Sequence, residues 1–301
     1  MDTTFFQRTP ILDGDDPEAK RDEIRRYFHT TLDRYELLFE TLVSDEAYYI
    51  KPITLRHPLI FYLGHTATFF TNKLILARVI THRINPRLES MFAVGVDEMS
   101  WDDLDTTHYD WPKVDEVRHY RSIMRETIDR LITELPITLP IGWNSPWWSI
   151  IMGIEHERIH LETSSVLIRQ HALKYVKPHP QWEPCRKTGI APENQLITVP
   201  AGSVQIGKSI ADTTYGWDNE YGSHHTEIPT FQASRYLVSN KEFLSFVEAN
   251  GYTTDQYWEQ EGLGWLRHSQ AQHPTFWIKL DNHWHLRLMT EIIPIPWDWP
   301  V

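Results

Sequence analysis

A chain of 301 residues with 41 acidic against 29 basic side chains, net charge −12, is long enough for about two domains, and its charge repels a nucleic acid or an anionic membrane. The single cysteine, Cys185, excludes an internal disulfide and suits a reducing compartment. No stretch approaches the roughly 20 apolar residues of a membrane span, and MDTTFFQRTPILDGDD has no basic segment followed by an apolar run, so a cytoplasmic protein is expected.

The first predicted helix has Asp16 as N-cap and Pro17 in its first turn. Ile24, Phe28, Leu32, Tyr35, Leu38, Phe39 and Leu42 then recur at helical spacing. A second starts at Pro58 and runs through LIFYLGHTATFFTNKLILARVI. A third follows DWPK, with Val114, Val117, Met124, Ile128, Leu131 and Leu135 on one side. A fourth starts near Ser145 and Pro146 and continues to about His171. Four long amphipathic helices predict a bundle, a common housing for metal sites. The connection NPRLESMFAVGVDEMSWDDLDTTHYD is too long for a bundle turn; it reads first as a solvated acidic surface and second as a cap over a site.

Pro178, Pro180, Pro184 and Pro192 rule out a continuing helix, which makes residues 176–194 a linker between a bundle at 1–175 and a second domain at 195–301. In that domain QLITVPAGSVQIG alternates like a strand and YGWDNEYGSHH is turn-like. SNKEFLSFVEANGY reads as a short helix capped by Ser239 and ended near Gly251. The fold class expected is α plus α+β.

The fourth helix holds MGIEHERIHLETSS, an H-E-x-x-H spacing that places His156 and His160 one above the other, where they can offer two imidazoles to one metal. The same face carries Ser149, Gly153, Thr163 and Ser164, small residues that leave room beside an ion. A peptidase needs a third ligand downstream. Thr163 and Val166 stand where one motif variant has Gly and His, and the proline-broken segment offers only Glu183. Glu162 lies roughly 200° around the helix from His160, which suits a supporting role better than ligation, and Glu157 is assigned the same at most.

Upstream, His65 in FYLGHTATFF sits mid-helix beside Gly64, with Phe61 and Phe69 on its face; a bundle that packs the second helix on the fourth makes it the third ligand. His57, before Pro58 and outside the helix, is a weaker candidate. Three neutral imidazoles leave a divalent charge uncompensated and favour an anionic ligand such as a thiolate. Fe(II) and Zn(II) both fit that donor set.

HERIHLE together with LGHTATFF resembles the DinB-like domain of the iron-dependent sulfoxide synthases of thiohistidine biosynthesis. VPAGSVQIG, GWDNEYG and LVSNKEFLSFVEANGY are similar to the C-type-lectin-like, formylglycine-generating-enzyme-like domain those enzymes carry next. LRHPLIFYLGHTATFFTNKL, FAVGVDEMSWDDL and MGIEHERIHLETSSVLIRQ resemble the ovothiol branch, 5-histidylcysteine sulfoxide synthase. Ergothioneine-type enzymes tend to have Gln where Ile159 stands, and basic residues in the loop. The resemblance spans about residues 11 to 301.

It implies Fe(II) held by His65, His156 and His160, with cysteine, histidine and O2 as substrates and 5-histidylcysteine sulfoxide as product. Free amino acids in turn fit the acidic loop, where Asp97, Glu98, Asp102 or Asp103 would bind their ammonium groups. The chain stops at IPIPWDWPV, before the segment expected to carry the family's active-site tyrosine. An incomplete second domain is therefore expected, in a fragment able to bind metal yet poorly active or inactive, with Tyr221, Tyr236 and Tyr252 read as packing residues. A zinc-dependent thiol transferase and a non-catalytic scaffold are the alternatives.

Overall fold

A computed structural model describes residues 8–93 and 109–301. Two compact units are formed, one by the described residues up to Trp182 together with Gly207–Gly222, the other by Glu183–Ile206 and Ser223–Val301.

The first unit is built on α1 (Pro17–Phe39), α3 (Leu59–Leu76), α5 (Val114–Glu134) and α6 (Pro146–Gln170), with two short helices between them, α2 (Glu46–Tyr49) and α4 (Pro86–Met91). Asp16 accepts from the amides of Glu18 and Ala19 at the start of α1, and Ser145 accepts from Trp147 N at the start of α6, satisfying donors that a helix leaves open at its first turn. Each long helix packs on two others: α3 on α5 and α6, α1 on α5 and α6. This is the expected bundle, and Phe28, Tyr35, Phe70, Met124, Ile128 and Trp147 fill its core.

Two expectations for these helices need correction. The second long helix stops at Leu76 rather than Ile80, because Arg78 adopts a left-handed conformation (φ 58°). Arg78 N then donates to Ile75 O (2.9 Å) and Val79 N to Leu74 O (2.8 Å), a Schellman closure made without glycine. On α5 the buried face runs through Val114, Val117, Tyr120, Arg121, Met124, Ile128 and Ile132. Leu131 and Leu135 lie only at its edge, and a fully buried arginine occupies its middle.

The segment Gly207–Gly222 joins the first unit by backbone pairing and aromatic contact. Leu12 N donates to Thr213 O (2.6 Å), while Tyr215 packs on Trp148 (5.0 Å between ring centroids) and Tyr221 on Trp143 (4.7 Å).

In the second unit, QLITVPAGSVQIG forms two strands rather than one. Pro200 and Ala201 separate β1 (Leu196–Val199) from β2 (Gly202–Ile206), and the two pair in different sheets, β1 with β4 (Phe231–Ser234) and β2 with β3 (His224–Ile228), both antiparallel. A three-stranded meander, β5 (Trp277–Leu280), β6 (His283–Arg287) and β7 (Ile292–Pro294), follows α7 (Asn240–Glu248) and α8 (Gln260–Ser269). Ser239 caps α7, as the sequence predicts, and does so in a reciprocal capping box with Glu242. At its end Asn250, not Gly251, takes the left-handed conformation (φ 58°), while Gly251 lies where a Cβ would meet the Phe246 ring at 2.4 Å. Trp277, Leu286 and Ile295 are the buried centre of this unit, joined by Phe243 and Val247 of α7. Asn240 ties helix to sheet, donating to Pro296 O (2.8 Å) and accepting from Trp277 Nε1 (3.2 Å). Tyr252 packs on Phe246 and Trp258, whereas Tyr236 is exposed, contrary to the packing role expected of it.

Candidate metal centre

Because α3 lies against α6, the mid-helix His65 meets the i, i+4 pair His156 and His160. One nitrogen from each ring lies within 4.8 Å of the others, and among the described residues this is the only such group of three metal-ligating side chains. The ring centroids are 5.0 Å (His65 to His156), 4.8 Å (His65 to His160) and 4.4 Å (His156 to His160) apart, and the Nε2 atoms of His156 and His160 are 3.1 Å apart.

Local packing sets each ring. His65 Nδ1 lies 2.8 Å from Phe92 O; a carbonyl only accepts, so Nδ1 carries the hydrogen and Nε2 is the nitrogen left for a metal. Phe92 reaches this position because residue 64 is glycine: a Cβ there would stand 2.3 Å from the Phe92 ring. Phe61 stacks on His65 (5.1 Å, 11° between planes) and Phe69 on His156 (3.6 Å, 6°), so the aromatic neighbours expected on the His65 face wall two of the three rings.

Burial dominates the electrostatics. It holds the His156 imidazole well below its ordinary value, with His160, His65 and Lys73 adding to the effect. It also lowers His160, helped by His65, to about 3. His156 and His160 are therefore neutral lone-pair donors at physiological pH, the state a divalent metal requires. The donor set, the single hydrogen-bonded orientation of His65 and the absence of proton competition fit a first-row ion.

The remaining sequence-predicted residues fall in different places. Glu157 is fully buried and turns to α5, where Arg121 Nη2 donates to its Oε1 at 2.7 Å. Burial pushes the Glu157 carboxyl above its ordinary value while Arg121 opposes the shift. Arg121 also donates to Leu63 O (3.1 Å), Thr66 Oγ1 (2.7 Å) and Glu36 Oε1 (3.2 Å), and its guanidinium lies 5.1 Å from the Tyr35 ring centroid. Glu157 thus links α6 to α5 and α3 around the site rather than supporting a ligand ring. Glu162 is exposed on α6. Gly153 leaves no room for an ion, since the Phe70 ring fills it (2.1 Å from an added Cβ), and Ser164 Oγ lies 3.3 Å from the Tyr35 hydroxyl. Thr163 does lie beside the site, its Oγ1 3.4 Å from His160 Nδ1. His57 packs on Phe61 (4.3 Å, 32° between planes) and is not one of the three converging rings. Asp97, Glu98, Asp102 and Asp103 lie outside the described residues.

Sequence reasoning missed Arg121 and the Phe92 carbonyl. The signal for Arg121 was a cation on the apolar face of α5, between Val117 and Met124; a backbone carbonyl carries no signal. A cleft of about 190 Å³ also opens beside His65, lined by Thr68, Phe69, Asn72, Lys73 and Arg83 among others.

Residues 27–164 match the DinB superfamily and residues 184–282 the sulfatase-modifying factor enzyme 1-like domain. The chain is 26% identical over 275 residues to ergothioneine biosynthesis protein 1 of Neurospora crassa, covering 84% of this chain and 29% of that protein. It is 23% identical over 297 residues to ergothioneine biosynthesis protein 1 of Schizosaccharomyces pombe, covering 86% and 35%. With hercynine oxygenase of Mycolicibacterium smegmatis it shares 27% identity over 139 residues, covering 44% and 31%. The chain thus spans about a third of the length of these curated relatives.

Proposed function

We propose that this chain, a helical DinB superfamily domain followed by a sulfatase-modifying factor enzyme 1-like domain, is the metal-binding part of an iron(II)- and O2-dependent sulfoxide synthase. It would join the sulfur of cysteine to the imidazole ring carbon of histidine, giving 5-histidylcysteine sulfoxide. The observation that carries the reading is the convergence of His65, His156 and His160 within 4.8 Å on two packed helices. Relatives named for ergothioneine biosynthesis and hercynine oxygenation support the synthase class. The ovothiol-type stretches around His65 and His156, and Ile159 rather than Gln, favour free histidine and cysteine as substrates.

His65, His156 and His160 would hold Fe(II), which supplies the means to activate O2 and to accept a thiolate. The protein's own contribution is orientation and exclusion of water. Phe92 O fixes the His65 tautomer, and Phe61 and Phe69 cover the ring faces, so that metal and substrates meet in a largely apolar setting. A cytosolic setting belongs to the same reading. Among the described residues no helix is long and apolar enough to cross a membrane.

Anaerobic reconstitution with Fe(II), followed by O2 uptake and mass spectrometry of products, tests the proposal with cysteine plus histidine against cysteine plus hercynine. Stoichiometric iron, binding of both amino acids and the 5-linked sulfoxide support it. Retention of zinc with thiol transfer and no O2 uptake would replace it with a transferase, and a chain that binds no metal would leave only a scaffold.

A further inference from the structure

The cleft beside His65 holds a cation that the metal centre does not use. Lys73 lies on α3 two turns beyond His65. Its side chain runs back toward the helix N-terminus, bringing Nζ to 5.0 Å from the Phe69 ring centroid. Phe69 in turn stacks at 3.6 Å on His156, so a single aromatic ring separates the ammonium from a converging imidazole. Arg83, on the same cleft, is neutralised. Its Nη1 donates to the buried Glu89 Oε2 (2.9 Å) and to Asn72 Oδ1 (2.8 Å), and the amides of Ile84 and Asn85 occupy Glu89 Oε1. Lys73 pairs with no carboxylate among the described residues, although the chain carries a net charge of −12.

We propose that this cleft is the carboxylate subsite of the amino-acid substrate, with the Lys73 ammonium pairing with the α-carboxylate while the side-chain donor of the same molecule reaches the three-imidazole centre. The inference rests on the metal-centre reading and adds a substrate contact to it. The cleft's volume of about 190 Å³ suits a small ligand, and no carboxylate is among the residues that line it to oppose an anion. Lysine supplies a point charge rather than a planar fork, which matches one carboxylate whose position is already set by a second anchor. A purely structural role for Lys73, completing the C-terminal turn of α3, would act on every ligand alike.

The test loads the chain with Co(II), verifies its stoichiometry, and titrates it anaerobically with L-histidine against histamine and L-cysteine against cysteamine, following the visible spectrum. The wild type should bind whichever amino acid uses the subsite about tenfold more tightly than its decarboxylated analogue. Lys73→Gln should abolish that preference while leaving the analogue's affinity within about twofold, and Lys73→Arg should restore most of it. Equal affinity for amino acid and amine in the wild type overturns the proposal, as does equal weakening of both by Lys73→Gln, or no binding by any of the four with cobalt in place. Failure to take up cobalt, seen before any ligand is added, instead overturns the metal-centre reading and the subsite with it.

Discussion

His65 Nδ1 and the Phe92 carbonyl oxygen are 2.8 Å apart, and this bond depends on the missing side chain of Gly64, over which the Phe92 ring lies. Helix α3 and the residue that ends α4 are thereby locked together at the one ligand that comes from outside the H-E-x-x-H helix.

Gly64→Ala should expose this coupling. The new methyl must displace the Phe92 ring, an overpacking that costs about 1–3 kcal/mol. Loss of the carbonyl that orients His65 should weaken metal binding by about tenfold or more. Urea unfolding and a competitive chelator titration measure the two effects, and a variant with full metal affinity would mean that Phe92 does not hold the ring.

Single replacements His65→Ala, His156→Ala and His160→Ala should each leave less than stoichiometric metal after gel filtration. His57→Ala should keep it, because His57 packs on Phe61 without joining the three converging nitrogens. Metal at about 100 times its dissociation constant should stabilise the wild type by about 2.7 kcal/mol, and the three ligand variants much less. Calorimetry with and without metal gives the comparison.

Arg121→Met should be among the most damaging substitutions in the first unit. It leaves Glu157 buried with its charge uncompensated, a cost of about 3–5 kcal/mol. The double variant Arg121→Met with Glu157→Gln should recover much of the loss. A double variant no more stable than the single one, by denaturant unfolding, would show that Arg121 acts through its other partners, Leu63, Thr66 and Glu36.

The metal-free protein should lose stability as the pH falls below 6.5. His156 and His160 are both lowered by burial, His160 to about 3, so in this range the unfolded chain takes up protons that the folded one refuses. Their contribution is fully present above the unfolded value of 6.5 and is lost progressively toward pH 3. Between pH 7 and pH 5 the melting temperature should fall, and His160→Gln should show a shallower slope by about one proton. An unchanged slope would place His160 in solvent.

The long helices of the first unit were legible in the sequence, since caps such as Asp16 and Ser145 and the spacing of Ile24, Phe28 and Leu32 act within one or two turns. So was the pairing of His156 with His160, which needs only the rise of one helix. Across packing interfaces sequence reasoning reached His65, through the expected packing of the second helix on the fourth, but not the partners of other residues. Glu157 was assigned to the metal's surroundings and instead meets Arg121 from another helix. Gly153 was read as space for an ion and holds Phe70. β1 and β2 were read as one strand and separate to different partners. Local hydrogen bonds and periodicity are decided by residues a few positions apart, so the chain itself determined its helices and the two-imidazole step. The third imidazole, the carbonyl that aims it and the lysine beside it come from distant positions, and only the packing of α3 against α6 and of Phe92 over Gly64 decided how they meet.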